Sequence, residues 1–164
     1  MKDIITATFK DRFAAEQALQ QLEAAGVMDS QISLMISDEN RRNNFAIDTH
    51  TKADEGAAAG ATFGGVVGAV LGAVLSAAVI TVPGLNLVVT GALASGLAGL
   101  GAGAATGGLV GALIGAGIPE HEAKIYDEEV RKGSVLIGVE AVSADQKKRI
   151  KDIFERTNAY NVAA

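Results

Sequence analysis

The chain has no cysteine and no tryptophan, two prolines, two histidines and seven aromatic residues among 164. Without cysteine it has neither disulfides nor thiolate chemistry, and a cytoplasmic setting suits it. So few aromatics leave no stacking platform for a flat ligand or a single strand. A net charge of −5 excludes the positive field of a nucleic-acid binder. His121 stands between Glu120 and Glu122. Metal ligands on a helix need spacings of three or four, so this triplet reads as a solvated first turn. Neither a metal nor a cofactor is expected. The N-terminus is too short and too polar for a secretory signal. One further absence organises the chain: from Gly56 to Pro119 there is no Asp, Glu, Lys, Arg or His.

That stretch holds 17 of the 20 glycines, and they recur every four residues. One series is Gly56, Gly60, Gly64, Gly68, Gly72, closed by Ser76. The other is Gly91, Ser95, Gly99, Gly103, Gly107, Gly111, Gly115. Thr81-Val82-Pro83-Gly84 lies between them. The pattern predicts two helices, Ala57 to Ile80 and Leu87 to Ala116, joined by a tight turn, with the thirteen small residues as a packing and oligomerisation stripe. Glycine inside a helix costs roughly 1 kcal/mol relative to alanine. About a dozen would cost on the order of 10 kcal/mol, as much as a domain's net stability. Close helix packing along the stripe, crossing at about −40°, offsets such a cost, and so does a bilayer. At 1.5 Å per residue the helices would measure roughly 36 and 45 Å, longer than the ~30 Å of a hydrocarbon core. In a membrane-inserted hairpin the turn would lie outside and both charged ends in the cytoplasm. Against insertion, the stretch has Phe63 as its one aromatic, so an aromatic belt is missing. A hairpin folded back on its own small domain is disfavoured, because one such sheet has little surface to cover two helices.

Nucleotide chemistry is excluded on spacing. Gly101 to Thr106 nearly matches G-x-G-x-x-G, but no strand is expected before it, and no lysine follows any glycine run. Ser95 has leucines at 93 and 97 where a nucleophile elbow needs glycines.

The flanks read as α+β. Residues 3–9 alternate as a strand, and Asp11 sits where it would cap a helix from Arg12 to Ala25 that ends at Gly26. Ile32, Leu34 and Ile36 mark a second strand. Residues 1–36 form a first βαβ half, 37–55 a polar linker, 56–118 the glycine-zipper hairpin, and 119–164 a helix plus the second half. In that second half Pro119 starts a helix and Gly133 ends it. Ser134 to Ala141 is a strand, Ser143 and Gln146 are spaced as a capping box, and Asn158 precedes a short last strand. The fold class expected is a ferredoxin-like split βαβ sandwich, one antiparallel sheet with two helices on one face and an inserted helical hairpin. Lys147, Lys148, Arg149 and Lys151 form the one basic cluster. It reads as a solvated helix face, with anionic lipid headgroups as the alternative contact.

The segment Gly115-Ala116-Gly117-Ile118-Pro119-Glu120-His121-Glu122-Ala123-Lys124-Ile125-Tyr126, then Gly133-Ser134-Val135-Leu136-Ile137 and Ala159-Tyr160-Asn161-Val162, resembles a bacterial stress-protein family. Its members are heat-induced, general-stress and low-temperature-induced proteins with a glycine-zipper insertion. The resemblance implies a link to stress and no enzymatic activity, and it carries over no catalytic residue. The expectation is a non-enzymatic structural protein that homo-oligomerises through its hairpin at or in the cytoplasmic membrane. Two alternatives stand beside it: a soluble homo-oligomer with the hairpins buried in its core, and a small-molecule-sensing regulatory protein.

Overall fold

A computed structural model describes residues 3–37, 80–82, 87–90, 108–111, 113–115 and 117–163. The first half is β1 (Asp3–Phe9), α1 (Arg12–Ala24), a 3-10 turn at Asp29–Gln31 and β2 (Ile32–Ser37). Two strands expected by no pattern follow, β3 (Ile80–Val82) and β4 (Leu87–Thr90). The chain closes with α2 (Glu120–Arg131), β5 (Val135–Ala141), α3 (Ala144–Arg156) and β6 (Tyr160–Ala163). All six strands form one sheet in the order β3-β4-β2-β5-β1-β6, with every neighbouring pair antiparallel. The class is α+β.

The period-two pattern sorts side chains onto two faces of the sheet. Ile5, Ala7 and Phe9 of β1, Ile32, Leu34 and Ile36 of β2, and Val135, Ile137 and Val139 of β5 share the first face. Ala15, Ala18, Leu19 and Leu22 of α1 and Ile150, Ile153 and Phe154 of α3 belong to the same core. Phe9 and Phe154 meet edge to face with centroids 5.8 Å apart, a favourable aromatic geometry. The second face bears Met35, Leu136 and Val89 under a different layer. That layer is α2, through Ala123, Tyr126 and Val130, together with Leu109, Leu113 and Ile118. The described part is therefore three layers deep, with helix on both faces of the sheet.

Helix ends follow the expected chemistry. Gly26, Gly133 and Asn158, expected as left-handed terminators, have φ of 82°, 96° and 56°. Ser143 Oγ accepts from Gln146 N at 3.2 Å, the first half of the capping box. The second half is replaced: Gln146 Oε1 accepts from Val142 N at 2.8 Å and from Gln31 Nε2 at 3.3 Å. The glutamine thereby ties the start of α3 to the turn before β2. Asp11 occupies the N-cap position of α1, but its side chain makes no capping bond.

The two-helix hairpin is corrected in two places. Ile80 and the residues from Leu87 to Thr90, expected as helix, are strand, and β4 pairs with β2 from Leu34↔Thr90 to Ser37↔Leu87. The physical reason is local: 79–82 and 87–90 read Val-Ile-Thr-Val and Leu-Val-Val-Thr, β-branched runs without glycine. They flank Pro83-Gly84, so the pair is a β-hairpin rather than a helical turn. The second correction is at Gly108, which opens a helical run with φ of 59°. A left-handed residue cannot lie inside a right-handed helix, so one unbroken helix from Leu87 to Ala116 is not formed. Its expected end holds. Gly117, at φ 94°, donates to Ile114 O at 2.9 Å, and Ile118 donates to Leu113 O at 3.0 Å. This is the Schellman arrangement, which stops the helix just before Pro119.

Candidate functional site

Of the thirteen stripe residues, Gly111 and Gly115 are among those described. Gly56, Gly60, Gly64, Gly68, Gly72, Ser76, Gly91, Ser95, Gly99, Gly103 and Gly107 lie outside them, as does the 38–55 linker. The two that are described show which way they themselves face. In the helical run from Gly108, Leu109 and Leu113 are buried in the second core. Gly111 and Gly115 follow each of them by two residues, about 200° around the helix axis. The glycine side therefore points away from the sheet. Gly115 is exposed, and so is Ile114 beside it. The leucines bind this helix to its own domain and leave its small-residue side outward.

β3 and β4 determine how the glycine-rich chain is carried. Ile80 is the register partner of Val89, and Leu34 of Thr90. At the opposite end of the sheet Leu87 partners both Val82 and Ser37. Residues 38–79 therefore leave and rejoin the same sheet. Residues 91–107 leave it at Thr90, and the chain is back over the second face by Leu109.

The second face also contains a buried polar group of side chains. Tyr126 is 1% exposed. Its hydroxyl lies 2.7 Å from Thr6 Oγ1 and donates to Asn161 O at 3.1 Å. With its one proton used there, it accepts from Thr6. Thr8 Oγ1 donates to Tyr160 O at 3.0 Å. Asn161 lies in β6 with φ of 51°, where the β1–β6 register shifts. Burial pushes the Tyr126 phenol up to about 12. The Thr6 hydrogen bond opposes that shift and the Glu122 carboxylate adds to it. A phenol held so firmly neutral is a poor acid or base near neutral pH, and α2 uses it as a polar pin onto β1 and β6. Sequence pattern places Thr6 and Thr8 on the second face but gives no sign of their partner.

The basic cluster lies along α3 as expected. Lys147 is bonded to Asp3 Oδ2 at 3.2 Å, Lys148 and Arg149 are exposed and Lys151 is half-buried. Acidic groups alternate with them at Asp145, Asp152 and Glu155. On α2 the charges pair within the helix, Lys124 with Glu120 and Lys132 with Glu128 at 2.7 Å, and Arg131 with Asp127 at 2.9 Å. The lysines beside Glu120 and Glu128 hold those carboxyls below their usual value. These are surface ion pairs, of small consequence for stability. His121 Nε2 lies 3.7 Å from Glu122, and among the described residues no group of three His, Asp or Glu is placed to hold a metal.

An open groove of about 450 Å³ is lined by Lys10, Asp11, Ala14, Glu155, Asn158 and Tyr160. The Lys10 ammonium sits 4.5 Å over the Tyr160 ring. The groove holds no nucleophile paired with a base, so it does not meet the geometric requirement for catalysis.

No protein-family model matches the chain, and neither a curated protein nor a solved structure does.

Proposed function

We propose that this chain is a non-enzymatic, stress-associated structural protein that homo-oligomerises through its glycine-rich segments, borne on a ferredoxin-like domain with a glycine-zipper insertion. The fold reading rests on the order β6-β1-β5-β2 with α1 and α3 sharing one core, which matches a split βαβ pair. The strands β3 and β4, and α2 on the other face, are additions to it. The link to stress rests on the resemblance of residues 115–126 and 133–137 described above.

The observation that carries the assembly reading is the position of β3–β4. It returns the chain to the sheet between the two stripes, so both glycine-rich segments are presented from one domain. Close helix packing remains the way to offset about a dozen helical glycines. The same position argues against a bilayer-spanning hairpin, because the expected outer turn is flanked by strands of the sheet itself. Residues 91–107 would measure about 26 Å as helix, short of a ~30 Å hydrocarbon core. Among the described residues no helix is long and apolar enough to cross a membrane. The reading is accordingly an assembly that is soluble or rests on the cytoplasmic membrane surface, with Lys148, Arg149 and Lys151 as its contact with anionic headgroups.

Detergent-free fractionation followed by light scattering tests this. Oligomers in the high-speed supernatant are expected, with anionic vesicles floating a fraction of them. Gly68→Leu and Gly107→Leu should give smaller species and Val70→Leu should not. A monomeric wild type, or equal sizes in all three variants, would remove the stripe from the account. Protein released from membranes by detergent alone would restore insertion.

A further inference from the structure

We infer that the groove at the start of α1 is a binding site for a primary carboxamide such as that of glutamine. The site does not depend on the assembly reading; its basis is a difference between the two halves of the fold.

The two βαβ halves repeat one another. One constant shift in residue number, the one that takes Asp3 to Val135, carries β1 onto β5 and α1 onto α3 with no change of length. It carries left-handed Gly26 onto left-handed Asn158. It also carries the bond from Val27 N to Leu22 O onto the bond from Ala159 N to Phe154 O. Thr6 and Gly138, related by the same shift, are register partners, so a pseudo-two-fold axis passes between them. The groove residues Lys10, Asp11, Ala14 and Tyr160 are thereby the counterparts of Val142, Ser143, Gln146 and Met28.

At the start of α3 the corresponding place is filled by two buried carboxamides. Gln146 Oε1 accepts from Val142 N at 2.8 Å and from Gln31 Nε2 at 3.3 Å. Gln31 Nε2 also donates to Glu140 O at 2.8 Å, and Gln31 Oε1 accepts from Met28 N at 3.0 Å. At the start of α1 the chain supplies neither group. Position 14 is alanine, and the chain passes from Asn158 and Ala159 straight into β6, without the 3-10 turn that carries Gln31 into place before β2. The backbone that receives a glutamine side chain at α3 is thus left at α1 to receive one from outside. The groove, of about 450 Å³, falls within the ~300–1,000 Å³ of small-molecule sites. The half-exposed ring of Tyr160, with the Lys10 ammonium 4.5 Å over it, forms one wall. Asp11 and Glu155 set two carboxylates against that one ammonium. A neutral carboxamide is therefore favoured over a carboxylate of the same shape.

Saturation-transfer NMR, read on the small molecule, suits the full-length protein at any assembly size. L-Glutamine at millimolar concentration should receive signal, and L-glutamate should bind about tenfold more weakly. Ala14→Gln supplies from the chain the side chain that α3 already has. It should abolish transfer to L-glutamine and slow amide exchange at Lys10. Tyr160→Ala removes a wall without touching the core and should weaken binding several-fold. A Gly-Gln-Gly peptide separates the two sources of the group: transfer to it as well as to L-glutamine assigns a peptide side chain, and transfer to L-glutamine alone assigns a free amino acid. No transfer to either, equal binding of L-glutamate, or undiminished transfer in an Ala14→Gln protein with wild-type circular dichroism would overturn the site. None of these readouts depends on oligomer size, so their failure leaves the assembly reading standing.

Discussion

The two faces of the sheet are built on different terms. The first is lined by apolar side chains and closed by α1 and α3, and the side chains that its strands and helices contribute follow a period of two or of 3.6. The second mixes Met35, Leu136 and Val89 with the hydroxyls of Thr6, Thr8 and Tyr126. Its cover comes from α2 and from the end of the glycine-rich stretch. The first face is a core that the two βαβ halves complete between themselves. The second is completed by elements that arrive with the insertion. A chain of this design cannot lose its glycine-rich stretch and keep both faces buried.

Substitutions on each side sharpen that contrast. Phe154 is fully buried on the first face and meets Phe9. Phe154→Ala should cost about 4 kcal/mol in urea unfolding, a loss that threatens the whole domain. Leu113→Ala, on the second face, should cost about 3 kcal/mol. Hydrogen exchange should separate the two: the leucine variant loses protection in α2 and the helix from Gly108 before the first face opens. Uniform loss in both variants would make the faces one cooperative unit. Tyr126→Phe is smaller, about 1–2 kcal/mol, because it leaves Asn161 O and Thr6 short of a partner without removing the ring.

The same hydroxyl gives a pH signature. Its value in the fold, about 12, lies above the ordinary 10, so the unfolded chain gives up this proton first. The stability that the neutral phenol contributes is intact below pH 10 and is lost as pH rises from 10 toward 12. The difference in unfolding free energy between wild type and Tyr126→Phe should narrow across that window. A difference that stays flat would mean the hydroxyl is not held as the structure has it.

Legibility in the sequence followed the same division. The first face was readable because Ile5, Ala7, Phe9 and Val135, Ile137, Val139 alternate, and because Gly26, Gly133 and Asn158 punctuate the helices. The second was not, because its pieces make sense only together. Thr6 looks like a solvent-facing residue until Tyr126, 120 positions later, bonds to it, and Thr8 until β6 does. Val79-Ile80 and Leu87 to Thr90 fall within the four-residue glycine rhythm around them, and Thr81-Val82 read as part of the turn. Their β-branched content, and the four residues Pro83 to Asn86 between them, were the signal of a hairpin. Gly108 was lost in the same way, one glycine among many, although its neighbour Gly107 makes a Gly-Gly pair of the kind that breaks helices.

Everything said of the glycine-rich segments depends on β4 belonging to the sheet. Amide hydrogen exchange at Val88 and Val89 reads this directly, since β4 lies between β2 and β3. The account predicts protection there that falls together with that of Leu34 and Met35 in β2 as denaturant is added. Exchange at Val88 and Val89 that is fast, or that follows a helical segment rather than β2, would contradict it and return the chain to two helices joined by a turn.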